Sequence, residues 1–341
     1  MNAGDAVLHE TALEGRHWVA GRNISEVGRA IYQNQAHVIA IHEEFVELVC
    51  ANCFAVARSG PLSCMCDHCE CTFYCSSQCR AQHDAEASPG RAAHHHTCGV
   101  LRRLKSLDTE ARLVVEALAR RHGPPHDSSS VAADVDALQP AAAASSNASP
   151  PWWCADVRNA LRACAWGRAV PEAELTDAAL CALAGRFELN GFGCSTHEMG
   201  FVGLAVYLGG ANLFNHDCEP TCEVVHSMPA LSIRTTRQVK TGARLTISYV
   251  DTEADLTTRR EALRAQYGFT CGCARCISEE EAEAAEAARL ARRPRWVLNE
   301  HRQGTHYYIA GALASAGYYE YAFLWLFTYF FVWLVVLRYP I

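Results

Sequence analysis

Apolar positions along residues 1–49 come in short clusters separated by glycine. Val38, Ile39, Ala40 and Ile41 run together, and Gly15, Gly21 and Gly28 punctuate turns, which predicts strands. From Leu101 the period changes. Leu104, Leu107, Ala111, Val114, Val115 and Leu118 recur at helical spacing with Lys and Arg between them. A second helical stretch is predicted over about 153–187. Residues 200–250 return to strands: after a turn at Lys240, Thr241 and Gly242, Leu245, Ile247 and Tyr249 alternate with Thr246 and Ser248. Arg259 to Gln266 reads as a short helix, and the Glu/Ala/Arg-rich stretch 278–294 is helical by propensity. Residues 123–151 are rich in Pro, Ser and Ala and lack aromatics, the composition of a disordered insert or linker. Tyr321 to Leu337 is an uncharged apolar run near the short end of what spans a bilayer. A membrane anchor, a buried helix and an unnatural chain end all remain open for it.

Composition narrows the class. The 341 residues suit about two domains. Half of them are hydrophobic, enough for a sizeable core. A net charge of −7 speaks against a nucleic-acid binder, which needs clustered Lys and Arg, and is compatible with a basic protein substrate. The 18 cysteines say more: nine lie between Cys50 and Cys98, and Cys271, Cys273 and Cys276 crowd together. The first 20 residues carry Asp5, Glu10, Glu14 and Arg16 and no apolar run, so no secretory leader is read there. Paired cysteines without secretion point to metal rather than disulfides.

The spacings support metal. Cys50 and Cys53, Cys66 and Cys69, Cys75 and Cys79, and His94 and Cys98 form four pairs with two or three residues inside each. A tight turn or one helical turn brings such a pair onto one ion, and eight ligands serve two tetrahedral zincs. The run from Cys66 through Tyr74 and Cys75 to Cys79 resembles a MYND finger in spacing and in the aromatic before the fifth ligand. The resemblance implies interleaved ligation, Cys50 and Cys53 with Cys75 and Cys79, and Cys66 and Cys69 with His94 and Cys98. The gap after Cys79 is long, apparently through an insertion around Ala85–Ala93, so His83, His95 and His96 are rivals to His94. Cys64 and Cys71 are read as bystanders. Such a finger has no open coordination position. It binds a partner peptide, or it staples a subdomain too small to fold alone.

Further on, Leu213-Phe-Asn215-His216-Asp-Cys218-Glu-Pro220 resembles the SET-domain motif Asn-His-Ser-Cys-x-Pro. Asn190-Gly-Phe192 and Gly203 to Tyr207 fit the strands before it, Gly242 to Asp251 the strand ending in a catalytic-site tyrosine, and Arg259 to Cys276 the post-SET segment. Near the start, Gly15-Arg16-His17-Trp18-Val-Ala20 stands where the family has Gly-x-Gly-Leu-x-Ala along the cofactor, with His17 replacing the second glycine. The chain thus resembles the SET-and-MYND methyltransferases over roughly 1–276.

The resemblance implies an α+β fold: a β-rich SET domain split by an inserted MYND finger, with a helical insert, a zinc-binding post-SET segment and a short helical tail. The expected divisions are 1–49 for the N-terminal SET half, 50–98 for the finger and 99–187 for the insert, then 188–250 for the SET core, 251–276 for the post-SET segment and 277–341 for the tail. It implies S-adenosylmethionine-dependent methylation of protein lysines on histone or other proteins. Tyr249 and Tyr267 become the channel tyrosines, and Gly15, Arg16, Asn190, Asn215, His216, Tyr249 and Phe269 the cofactor contacts. Cys218 becomes the fourth ligand beside Cys271, Cys273 and Cys276, for three zincs in all. Cys154, Cys164, Cys181, Cys194 and Cys222 are left as packing residues. Expected partners are a lysine-bearing protein or peptide and a peptide at the finger, with no direct nucleic acid, a monomeric state, and a membrane only through 321–337. The compartment is cytoplasmic or nuclear. A SET/MYND scaffold without catalysis is the alternative, favoured by His17 and the short C-terminus.

Overall fold

A computed structural model describes residues 4–12, 14–85, 91–104, 108–123, 135–140 and 150–291. Two compact units divide the chain, Met1–Cys273 and Ala274–Ile341. The expected linker 123–151 lies mostly outside the described residues, as do the insertion after Ala85 in large part and the apolar run 321–337. Among the described residues no helix is long and apolar enough to cross a membrane.

The first unit begins with a hairpin of β1 (Ala6–Thr11) and β2 (Gly15–Ala20). Their antiparallel register sets His9 opposite His17. β3 (Ala30–Gln35) joins β9 (Cys222–Ser227) and β10 (Ala230–Thr235) in a sheet of order β3-β10-β9. The apolar run Val38–Ile41 forms β4, fully buried, at one side of a second sheet of order β4-β8-β7. Its partners are β7 (Gly191–Thr196) and β8 (Gly200–Val206). A Cβ at Gly203 would sit 2.3 Å from the Ala40 carbonyl oxygen, so the close approach of β8 to β4 requires glycine there. Ile31, Ile39, Ala205, Phe214, Leu231, Ile233 and Ile247 form the main core between the sheets.

The finger interrupts this plan. It contributes short strands β5 (Cys64–Met65) and β6 (Phe73–Tyr74), then helices α1 (Ser77–Ala85) and α2 (His94–Leu101). The helical periodicity read from Leu101 onward is broken in fact: α2 ends at Leu101 and α3 spans Thr109–His122. The cause is local. The Asp108 side chain accepts from the N–H groups of Glu110 and Ala111, capping a new helix start. α3 places Leu113 and Ala117 against Val38, Ala40 and Val206 of the β4-β8-β7 sheet. Its other apolar face, with Val114, Val115 and Leu118, packs on Trp153, Val157 and Leu161 of α4 (Trp153–Arg162) and Leu180 of α5 (Asp177–Asn190). The helical stretch expected over about 153–187 consists of two helices joined by short 3-10 turns. A last helix of this unit, α6 (Leu256–Tyr267), is capped by Asp255 and closed by Gly268 at φ +75°. In the second unit the described residues form α7 (Ala274–Ala291), mostly exposed and carrying Arg275–Glu279 and Arg289–Glu286 pairs.

His37, 7 % exposed beside β4, supplies a pH test of this core. Burial, and then the nearby Arg120 charge, push its imidazole down to about 4. An unfolded histidine titrates near ~6.5. Between those values the unfolded chain binds the extra proton, so stability is full above ~6.5 and falls by roughly 3 kcal/mol as pH drops towards 4. We expect the stability gap between wild type and His37→Gln to shrink over this window in zinc-replete denaturant melts. A gap independent of pH contradicts the assignment.

Candidate functional site: a cavity beside clustered thiols

The site is built where the two ends of the first unit meet. Residues 243–247 carry no regular strand, contrary to the expected strand ending at Tyr249. They make isolated bridges instead, Arg244 to Val19 on one side and Ile247 to His216 on the other. Leu245 N–H donates to Trp18 O at 2.9 Å, and Ile247 N–H donates to Asn215 O at 3.1 Å. The Asn215 side-chain amide then reaches the Glu14 carbonyl at 3.0 Å. Trp18 Nε1 donates to Gly210 O at 2.8 Å. Gly210 itself sits at φ +97°, with its Cβ direction blocked 2.8 Å away by the Trp18 ring.

Around this junction lies a cavity of about 1200 Å³. Gly15, Arg16, Asn190, Asn215, His216, Tyr249, Tyr267 and Phe269 all line it, so every cavity residue singled out in the sequence faces the same space. His17 does not line it. β2 alternates, which puts His17 on the face opposite Arg16 and Trp18. Its ring stands edge-on to His9 at 5.7 Å, and its Nδ1 bonds the Gly15 carbonyl.

The aromatic residues cluster. The Tyr249 and Tyr267 ring centroids are 4.8 Å apart, His216 lies 5.4 Å from Tyr249, and Phe269 lies 6.1 Å from His216. The Tyr249 hydroxyl donates to the Phe214 carbonyl at 2.8 Å. Its oxygen lone pairs stay available as acceptors. Burial, and secondarily Tyr267, push the Tyr249 phenol well above its usual range; burial, then Glu188, raises Tyr267. Both phenols are therefore neutral at pH 7. Burial holds His216 down to about 4, and its Nδ1 accepts the Tyr249 N–H at 3.1 Å. The remaining proton sits on Nε2, 3.3 Å from Cys218 Sγ. Asn190 has its amide fully engaged: Nδ2 donates to the Gln139 and Arg186 carbonyls, and Oδ1 accepts from Asn212 and the Gln139 N–H.

Some wall residues were not legible in the sequence. Asp136, Leu138, Gln139 and Pro140 line the cavity from within the stretch read as a linker. They are fixed by Arg186 Nη1, which donates to Asp136 O and Leu138 O, and by burial of Val135 and Leu138. Those two apolar residues in a polar, Pro/Ala-rich run were the available signal. Asp217, where the motif has Ser, pairs with Arg244, which also holds Glu14.

The thiols gather in the pairs that metal binding needs. Ligand atoms of Cys50, Cys53, Cys75 and Cys79 lie within 4.8 Å of one another, as do those of Cys66, Cys69, His94 and Cys98. Within the first unit, so do the sulfurs of Cys218, Cys271 and Cys273. Cys276 follows three residues later, buried in the first turn of α7. A tetrahedral zinc with Zn–S near 2.3 Å has S···S edges of about 3.8 Å. The observed edges are 3.6 Å for Cys53–Cys75, 3.5 Å for Cys75–Cys79, 3.8 Å for Cys66–Cys98 and 3.9 Å for Cys218–Cys271. Cys69 Sγ is 3.6 Å from His94 Nε2. Each set fits a zinc ion. All eighteen thiols are free, far from the ~2.05 Å of a disulfide. Among the rival histidines, His83 bonds the Tyr74 hydroxyl and His95 the Asp84 carbonyl.

Comparison with known proteins agrees with this geometry. The SET domain family matches residues 126–250. The mouse histone-lysine N-methyltransferase SMYD3 is 38 % identical over 92 residues, covering 27 % of this chain and 21 % of that protein. The chicken N-lysine methyltransferase SMYD2 is 29 % identical over 144 residues, 38 % of this chain and 33 % of that protein. A SET and MYND domain-containing protein of Dictyostelium discoideum is 39 % identical over 80 residues, 23 % of this chain and 15 % of that protein. The matched stretches thus span a fifth to a third of SMYD3 and SMYD2. With the thiol sets and cavity described above, the chain is similar to SET-domain proteins of the SET-and-MYND type.

Proposed function

We propose that this protein transfers a methyl group from S-adenosylmethionine to the side-chain amine of a protein lysine. The observation that carries the reading is the pair of neutral phenols, Tyr249 and Tyr267, 4.8 Å apart in a cavity shared with Asn215, His216 and Arg16. The cofactor, when bound, supplies an electrophilic methyl on a positively charged sulfur. Every other task falls to the chain. Gly15, Arg16 and Asn215 hold the cofactor along the junction of the two SET halves, His216 supports it from the motif, and Phe269, 37 % exposed, offers a ring face for the adenine. Asn190 shapes the wall by fixing Gln139 and Asn212.

Methyl transfer to an amine is an in-line displacement, so catalysis is chiefly positioning. A lysine in water is protonated, with a reference pKa of ~10.4. Apolar walls disfavour the ammonium, and the proton is left to solvent at the entrance. The Tyr249 hydroxyl proton is committed to Phe214, which leaves the phenol oxygen to accept an N–H of the neutral amine and aim its lone pair. One of the two features read as favouring a non-catalytic scaffold, a histidine crowding the cavity, is missing because His17 packs on the opposite face.

In this reading the thiol sets hold three zincs, Cys276 completing the site of Cys218, Cys271 and Cys273. The finger offers a surface for a partner peptide, and the protein acts as a monomer. Eighteen reduced thiols suit the cytoplasm and nucleus, where we place it.

Two measurements test this. Purified protein should contain three zinc equivalents by elemental analysis, falling to two in Cys276→Ser; two in the wild type would remove the post-SET site. With labelled cofactor and a histone and lysate panel, Tyr249→Phe should lower methyl transfer about 10²-fold, the scale of a misaligned displacement. Equal labelling by wild type and variant would refute the assigned channel.

A further inference from the structure

One guanidinium ties together two chain segments that meet at the cavity. Arg244 stands in the segment 243–247, whose backbone bridges to Val19. Its Nη1 donates to Glu14 Oε1, and its Nη2 donates to Asp217 Oδ2 at 3.2 Å. Glu14 lies in the turn between β1 and β2, just before Gly15 and Arg16. Asp217 directly follows Asn215 and His216. Glu14, Gly15, Arg16, Asn215, His216 and Arg244 all line the cavity. Glu14 is held from other sides as well. Its second carboxylate oxygen is 3.6 Å from His17 Nε2, and its carbonyl accepts from the Asn215 amide at 3.0 Å.

Asp217 stands where the motif has serine. Its Oδ1 accepts the Glu219 N–H at 2.9 Å, a local turn that a serine hydroxyl also makes. The other oxygen is the one that meets Arg244. The acidic replacement in the motif is therefore matched by an arginine from the neighbouring segment. Exposure sets the scale of the effect. The Arg244, Glu14 and Asp217 side chains are 41 %, 35 % and 15 % exposed. A single pair this open contributes little. The arrangement gains from what it spans, because the planar fork gives each terminal nitrogen a different carboxylate. Without the guanidinium, two like charges would be left where 14–16 and 215–217 have to approach.

We propose that Arg244 is a positioning residue for the methyl donor: it latches the 14–16 turn to the 215–217 motif and so keeps the cavity in its binding-competent form. The proposal rests on the methyl-donor reading of that cavity. Both terminal nitrogens of Arg244 are committed to carboxylates, so it acts through Glu14 and Asp217 rather than on the reacting atoms. A donor that binds only the latched form loses affinity in proportion as the latch opens.

The test is titration calorimetry of S-adenosylmethionine against full-length protein, wild type first. No binding by wild type removes the donor reading and this one with it. Once wild type binds, the variants judge the latch alone. Arg244→Met should weaken binding about fivefold, the scale of two partly exposed ion pairs. Asp217→Ser, which keeps the local turn, should weaken binding in the wild-type background but strengthen it in Arg244→Met, where it removes one of the two uncompensated carboxylates. A purely structural role for either residue predicts that the two losses add. Undiminished affinity in Arg244→Met, or the same loss from Asp217→Ser in both backgrounds, would overturn the proposal. If Arg244→Met does not fold, Glu14→Gln opens the latch from its other end. It should also weaken binding, and unchanged affinity there would overturn the proposal.

Discussion

Residues 243–247 hydrogen-bond in two directions at once, and the site exists because of it. On one side they hold 18–20, from before the finger, and on the other 215–217, from after it. Asn215 adds a direct bond to Glu14 across 201 residues of chain. The insertion of a finger and a helical bundle between them is tolerated because the segments that must meet are short and their partners are backbone groups. Loop length adds closure entropy only slowly, so a long insertion costs little once these contacts form.

The thiol sets extend that logic. Cys218 follows His216 by two residues, and the His216 Nε2 proton points at its sulfur. Clamping Cys218 to Cys271 and Cys273 holds Phe269 and Tyr267 near the same motif. A metal there is thus a structural part of the cavity's wall, and its second sphere, the His216 ring, is also a cavity residue. At the finger, the small core is made largely of cysteines: Cys50, Cys66, Cys69, Cys71 and Cys98 pack with Tyr74 and Leu101. So little apolar surface gives a weak fold without metal.

What the sequence revealed follows from the range of each signal. The thiol pairs, the Val38–Ile41 strand and the Asn215-His216 motif are short-range patterns, and the structure places them in paired sets, in a buried strand and at the cavity. The alternation at Leu245, Ile247 and Tyr249 suggested a strand, but the segment bridges two different partners and forms no continuous ladder. The helical period at Leu104 and Leu107 concealed a break that the Asp108 cap explains. Residues 135–140 looked like linker because composition dominated the reading. Their place in the wall is set by tertiary bonds from Arg186 and Asn190. The direction of His17 was legible in principle, since strand alternation opposes it to Trp18.

The central claim is that the junction of the two SET halves forms a single binding site for the methyl donor. Titration calorimetry of S-adenosylmethionine against the full-length protein, with Asn215→Ala beside it, tests this most directly. The account predicts one saturable site in the wild type and loss of most of that affinity in the variant. No heat in zinc-loaded wild type, or undiminished binding in Asn215→Ala, would contradict it.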